Sequence, residues 1–479
     1  MSFCPVKQMK MKQALAPWIA ILLLGTTVPL AAGAVDTPAN QLPRAPGSLV
    51  TTITPQPGYF TEPSIAVNPR NPQQVVAAFQ DVAHIAYSND GGHTWTLAKN
   101  VAPPNYRVSG DVSVTFDSEG HAILCYIAFD KLGTFNYWGH GASRNGIFIR
   151  RSLDGGKTWE ASQIPVAQQA TAPGIPFEDK PYIVAATGQG KHHGNLYVGW
   201  TRWTLTASEM VLSRSTDDGK TWSAPIEIDH HPGLPRDDNG ALEGFDGATG
   251  PDGALYAVWN NRNGIVLTSS RDGGQHFSRP RLAILTAPSM FAIQAVDRAN
   301  GFPQIAIDPR RGRHGRLYVT WSDYRNGDLD VFCAVSDNGG RTWTTPTRVN
   351  NDVLHNGADQ YFQWLAVDPL DSSVNAVFYD RRGDPGNRKQ IVVLARSEDG
   401  GKTFQNYAWT TQSFDPGGAF IGDYNGIAAF GGRVFGAWTV QPPYGQPKGA
   451  PSSGQEHRAP PHDTVIQVGI ARFATPPNP

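Results

Sequence analysis

Arginine returns shortly after an aromatic strand end in "WTRW" (200–203), "WNNR" (259–262), "WSDYRNGD" (321–328) and "YDRRGD" (379–384). Arg202, Arg262, Arg325, Arg381 and Arg382 thus recur in like positions. A guanidinium is a planar fork of donors suited to a carboxylate or sulfate, and several forks aimed at one place would hold an anion. Asp323 and Asp380 stand beside Arg325 and Arg381, so local pairing is the competing use. A second set is acidic. Glu62, Asp111, Asp179, Asp246 and Asp423, the last followed by Tyr424, each stand at the entry to a strand-like run. Carboxyl groups gathered at one opening raise one another's pKa, which suits a general acid beside an ionised partner. Solvated turns and cation sites are the other uses of such acids. The expected roles are acid or base for Glu62 and Asp111 and nucleophile for Tyr424. Arg202, Arg262, Arg325, Arg381, Asp179 and Asp423 are expected to bind substrate. No metal or cofactor is expected: "DYRNGDLD" (323–330) lacks the spacing of a helix-flanked calcium loop, and the doublets His192–His193 and His230–His231 have no ligand frame.

For these residues to meet, the chain must bring distant segments together, and a repeat does so. "SNDGGHTW" at Ser88 returns as "SLDGGKTW" at Ser152, "STDDGKTW" at Ser215, "SRDGGQHF" at Ser270, "SDNGGRTW" at Ser336 and "SEDGGKTF" at Ser397. The period, roughly sixty residues, belongs to propellers rather than helical solenoids. Each box closes a larger unit of three short apolar runs, as in "EPSIAVNP", "QVVAAF" and "HIAYS". After the sixth box the unit begins again with "GDYNGIAAF", "GRVFGAW" and "DTVIQVGIARF", and no box follows. "SLVTTIT" (48–54) supplies the missing strand. The expected fold is all-β: a β-propeller of seven four-stranded blades closed by an N-terminal strand, with six blades as the alternative. Strands alternate in direction, so the boxes share one face while the arginines and acids collect on the other.

The acidic position of the box is Asp90, Asp154, Asp217, Asp272, Asn338 and Asp399 in turn. Copies spread around a ring cannot converge on one substrate, and a turn tolerates the Asn338 that an essential acid would not. The box therefore reads as a rivet: Ser and Asp bond turn backbone, Gly permits positive φ, and Trp or Phe supplies apolar area.

Ser-x-Asp-x-Gly-x-Thr-Trp after a strand resembles the Asp-box, or bacterial neuraminidase repeat, of the sialidase-like β-propellers. The resemblance covers most of the chain beyond its N-terminal segment. It implies a propeller, and functions from glycoside hydrolysis to non-catalytic assembly. Catalytic sialidases hold the substrate carboxylate with three arginines, attack through a Tyr paired with Glu, protonate with an Asp, and carry Arg-Ile-Pro at the start of the first blade. Here Glu62-Pro63 stands in that place, and no arginine of the triad can be assigned residue by residue. The reading is an exported propeller that binds a glycan opposite the boxes, with anionic glycans among the candidates, and cleaves it if it is a glycoside hydrolase of sialidase-like type. A non-catalytic scaffold using "NYWGHGASRN" (136–145) and the loop at 441–462 is the alternative. A uronic-acid lyase, in which the arginines neutralise the carboxylate and Tyr324 or a His abstracts the proton, is a further one.

Composition agrees: 51 Gly, 38 Pro and 13 Trp favour strands and turns, and 40 basic against 41 acidic residues give no field for nucleic acid. Lys7, Lys10 and Lys12 before "APWIAILLLGTTVPLAAGA" read as an export signal over 1–34, cleaved after Ala34. A Pro-rich linker (35–47) and a single domain (48–479) follow. The expectation is a secreted or periplasmic monomer, not membrane-inserted after cleavage, with Cys125 and Cys333 buried and unbridged.

Overall fold

The computed structural model describes residues 42–474 except 81–82, 100, 102–105, 131–143, 171–175, 237–239, 288–292, 297, 419 and 443–463. The segment expected to be an export signal (1–34), "NYWGHGASRN" as far as Ser143, and residues 443–462 of the expected loop lie outside the described residues.

"VVAAF" (75–79) is apolar without alternation because the second strand of a blade is packed on both faces. The same holds for Ala122–Phe129, wholly buried, and for Val374–Asp380. Around each such strand the chain builds one antiparallel sheet of four in sequence order, inner to outer. Blade one is Thr61–Val67, Val75–Gln80, His84–Ser88 and Thr96–Leu97. The inner strands of blades two to six are Val108–Phe116, Phe177–Ala185, Glu243–Thr249, Gln304–Asp308 and Gln360–Val367. Blade seven runs Gly426–Phe430, Arg433–Val440 and Val465–Arg472, and Leu49–Thr52 pairs with the last of these as its outer strand. Each inner strand touches the next, and that of blade seven touches that of blade one, so the ring closes at seven.

The segment before the closing strand is more tightly held than a loose linker. Ala408 N donates to Pro43 O at 2.9 Å, Ala45 N to Ala408 O at 3.2 Å, and Arg472 N to Pro46 O at 2.7 Å. Leu42 and Ala45 are buried, which gives this Pro-rich stretch an apolar reason to lie against blades six and seven.

In each box the serine hydroxyl donates to the acid two residues on and accepts from the glycine N–H four residues on; in blade two these are Asp154 at 2.8 Å and Gly156 at 2.8 Å. Asp154 then takes the backbone and hydroxyl of Thr158 at 2.9 and 2.6 Å. The box aromatic packs into the apolar layer between its own blade and the preceding one: Trp95, Trp159, Trp222, Phe277, Trp343 and Phe404 each do this. Gly156 shows why the last glycine is needed. Its φ is +93°, and a Cβ there would stand 2.6 Å from Val76 of blade one. The boxes are wedges between blades.

Strand direction then fixes where they lie. Val75 pairs with Ser88 at one end of blade one, while Thr61 pairs with Gln80 and Phe79 with His84 at the other. The boxes and the entries to the inner strands are at opposite ends of the ring.

Candidate functional site

Where the inner strands begin, the register slips by one residue in blades one, two, three, four and six. The residue in the slip takes a left-handed backbone: Glu62 (φ 52°), Asp111 (45°), Lys180 (48°), Gly244 (72°) and Phe362 (52°). Pairing downstream aligns these with Phe302 in blade five and Tyr424 in blade seven, since Ser64, Ser113, Tyr182, Asp246, Gln304, Trp364 and Gly426 hold equivalent places opposite their second strands. A left-handed conformation costs a non-glycine residue of order 1 kcal/mol, and the repeated bulge imposes it. The chain has used the position unevenly. Blades one to three present charge; blades four to seven present glycine or an aromatic ring.

The charged half is a connected cluster. Glu62, Asp111 and Asp179 are hydrogen-bonded in series, Asp179 donating to Asp111 and Asp111 to Glu62. Glu62 also accepts from Asp423 N at 3.1 Å and from Gln80 Nε2. Gln80 turns its Oε1 to Asp111 N at 3.2 Å, which ties blade one to blade two. Asp179 receives Trp203 Nε1 at 2.9 Å and Lys180 N at 3.1 Å. Burial, then the neighbouring acids, push Glu62 and Asp111 up to about 7 and Asp179 up to about 8. These carboxyl groups therefore hold protons far above the ordinary carboxylate range.

Asp423 is the opposite case. Burial alone would raise it, but Arg298 and Lys180 outweigh burial and hold it down to about 2. Arg298 Nε lies 2.6 Å from Oδ1, its Nη2 binds Oδ2, and Lys180 Nζ reaches Oδ2 at 2.5 Å. Asp423 is thus the ionised carboxylate that both cations face. Tyr424 stays a neutral phenol, pushed well above its ordinary value by burial and then by Glu62 and Asp111.

The aromatic half completes the ring. Trp364 stacks obliquely on Tyr424 at 5.3 Å and on Tyr182 at 6.1 Å, and Phe302 lies 5.7 Å from the Lys180 ammonium. Lys180, Tyr182, Gly244, Phe302, Trp364 and Tyr424 enclose an axial cavity of about 20 Å³, room for about one water.

Of the residues singled out by sequence, Glu62, Asp111, Asp179, Asp423 and Tyr424 are thus brought together. Asp246 is turned to structure, accepting Ile305 N at 2.7 Å and Gly247 N at 2.8 Å. Four of the five arginines are engaged by groups of their own blades. Arg202 lies 3.0 Å from Glu178, Arg325 binds Asp323 at 2.8 Å, and Arg382 binds Asp380 at 2.7 Å. Arg381 is buried against the Tyr361 ring and donates to Asn387 O at 2.8 Å. Arg262 is exposed in the two-residue turn of blade four. Tyr324 packs against the apolar cluster of blades six and seven, near Asp359 and Arg381. Among the described residues no group of three or more His, Cys, Asp and Glu could hold a metal ion.

Lys180 and Arg298 are the cations that sequence reasoning passed over. Aligning the inner strands on "SIAVNP" would have found Lys180, one place beyond the Asp179 that was chosen. Arg298 stands in a connecting loop with no repeat to mark it.

No family model matches the chain. A curated sialidase of Bacteroides fragilis (strain YCH46) is 38% identical over 100 residues, 17% of this chain and 18% of that protein. One of Micromonospora viridifaciens is 31% identical over 134 residues, 25% of this chain and 19% of that protein. The chain is a seven-bladed β-propeller with a local sequence likeness to two curated sialidases. Its matches span less than a fifth of the length of either curated relative. Among solved structures, a Hadza microbial sialidase covers 84% of this propeller with 73% of its own chain, at 15% identity and a TM-score of 0.46.

Proposed function

We propose that this propeller binds a glycan over the axial mouth and hydrolyses a glycosidic bond there. The observation that carries the reading is the proton-holding series Asp179–Asp111–Glu62 set beside Tyr424, with aromatic rings on the facing half of the opening. Such a site holds a donor and an acceptor of protons at the same pH, which acid–base cleavage of a glycoside needs. Asp111 gives its proton to the leaving oxygen. Glu62 takes the phenolic proton as Tyr424 Oη attacks the anomeric carbon, and water later releases the sugar by the reverse transfers. Asp179 keeps its proton throughout and holds Asp111 in place through their hydrogen bond. The local likeness to two curated sialidases supports a sugar as the substrate class. Export to the periplasm or medium belongs to the same reading.

The test is release of reducing ends from a panel of oligosaccharides and polysaccharides by the purified protein. Activity should fall by at least roughly a hundredfold in Asp111→Asn and Glu62→Gln, and persist in Asp90→Asn. A panel on which the protein releases nothing would sink the reading.

One observation favours a second reading. Glu62 and Asp423 are each only 1% exposed, and their bonds cross blades, as in a plug that ties the ring together. A non-catalytic propeller would then lose stability in these variants and have no activity to lose.

A further inference from the structure

The cations at the mouth are already answered from within. Arg298 presents its fork to Asp423, Nε to Oδ1 and Nη2 to Oδ2, and Lys180 adds its ammonium to Oδ2. A guanidinium fork with an added point charge is how proteins receive a free carboxylate ligand. Here the carboxylate in that place belongs to the chain. Arg202, Arg325 and Arg381 offer no substitute, since acids of their own blades engage them. Beside this ion pair stand Glu62 and the rings of Tyr424 and Trp364, none of which offers an anion a cationic partner.

We propose that Asp423 is a specificity-determining residue: it fills the carboxylate-receiving place made by Lys180 and Arg298, so that the mouth selects uncharged glycans over carboxylated ones. This rests on the glycan reading above for its substrate class, but the internal carboxylate is a property of the mouth itself. A carboxylated sugar must either displace Asp423 or lie beside Glu62 without a partner. Both routes are unfavourable in a buried setting, where like charges brought together cost several kcal/mol. Removing the Asp423 side chain leaves two cations around a space the size of a small carboxylate.

Two measurements on the intact protein test this. The first is calorimetric binding of matched pairs that differ only in charge: oligogalacturonides with their methyl esters, and sialyllactose with its methyl ester. The wild type should take the ester of any pair it recognises at least about tenfold more tightly. Asp423→Ala should abolish or invert that preference, as should Asp423→Asn, which keeps the shape and protects the test if the alanine variant does not fold. The second is thermal unfolding in sodium acetate against sodium chloride of equal ionic strength. Acetate should raise the midpoint of Asp423→Ala by occupying the vacated place and leave the wild type unmoved. A wild type that prefers the charged member of a pair, or an alanine variant indifferent to acetate, overturns the proposal. Silence of the wild type toward every pair, with the variant still responding to acetate, overturns the glycan reading and leaves the internal carboxylate standing.

Discussion

Lys180 of blade three and Asp423 of blade seven form an ion pair across the axial opening, 243 positions apart in the chain, with Nζ 2.5 Å from Oδ2. The two blades are not neighbours, so no sheet hydrogen bonding holds these residues together. Both side chains are nearly free of solvent. Lys180→Met should therefore cost about 3 kcal/mol, because Asp423 remains buried with Arg298 alone. The double variant with Asp423→Asn should lose less than the two single losses added together, since the charge left behind has also gone. Urea unfolding of the set measures this; strict additivity would show that the pair is not coupled.

The same cluster sets a pH dependence whose sign can be worked out. Glu62 and Asp111 sit at about 7 and Asp179 at about 8, against ordinary values of 4.5 and 3.8. The folded chain thus binds more protons than the unfolded chain across that interval, and stability falls as pH rises through it. Asp423 and Asp90, held at about 2, act the other way, and their contribution is lost as pH falls toward that value. Thermal midpoints should peak on the acid side of neutrality, roughly between pH 4 and 6, and decline toward pH 9. Glu62→Gln with Asp111→Asn should make the alkaline decline shallower, with Asp179 and the buried Asp246, both pushed up to about 8, keeping the rest, and leave the acid limb in place. A peak above pH 8 in the wild type would contradict the buried acid series.

The repeated boxes offer an internal experiment already done by the sequence. Asn338 replaces the acid in blade five and keeps its bonds: Oδ1 accepts from Ser336 Oγ and Thr342 N at 3.0 and 2.9 Å, and Nδ2 reaches Thr342 Oγ1 at 2.7 Å. Asp90→Asn should thus be tolerated within about 0.5 kcal/mol. Asp90→Ala, which strands Thr94 N and the Ser88 hydroxyl, should cost about 1 to 2 kcal/mol. Chemical denaturation of both variants checks the order; an alanine variant as stable as the asparagine one would remove the rivet role.

That order also shows what was legible in advance. The box, the continuous apolar second strands and the N-terminal closing strand all follow from local pattern, and the structure has them at those positions. The seven-blade ring was readable because one unit recurs. The mouth was readable in part. Glu62 and Asp111 sit on the repeated bulge and Tyr424 in the place aligned with it, but the bulge is a register slip that periodicity does not display, which is why the pattern points to Asp179 rather than Lys180. The arginines misled for a physical reason: recurrence after an aromatic strand end marks a place in the fold, while their partners Glu178, Asp323 and Asp359 decide what each guanidinium does. Arg298 carried no repeat signal. Its partner Asp423 lies 125 residues away, and only the closed ring brings them together.

Closure of that ring depends on a short segment. Leu49 to Thr52 pair with Ile470 to Gln467, and Ala45 N and Pro43 O bond to Ala408 of blade six just before. Removing residues up to 55 would bare the edge of Val465–Arg472, a strand whose Ile466, Val468 and Ile470 are packed between blades one and seven. An exposed apolar edge pairs with other chains, so the truncated protein should aggregate or form larger species on size-exclusion chromatography. Supplying a synthetic peptide of residues 42–55 during refolding should restore the monomer-sized peak, because the strand's register is set by its own pairing rather than by the turn that follows it. Full recovery of folding without either the segment or the peptide would mean that the ring is held by its boxes and its axial cluster alone.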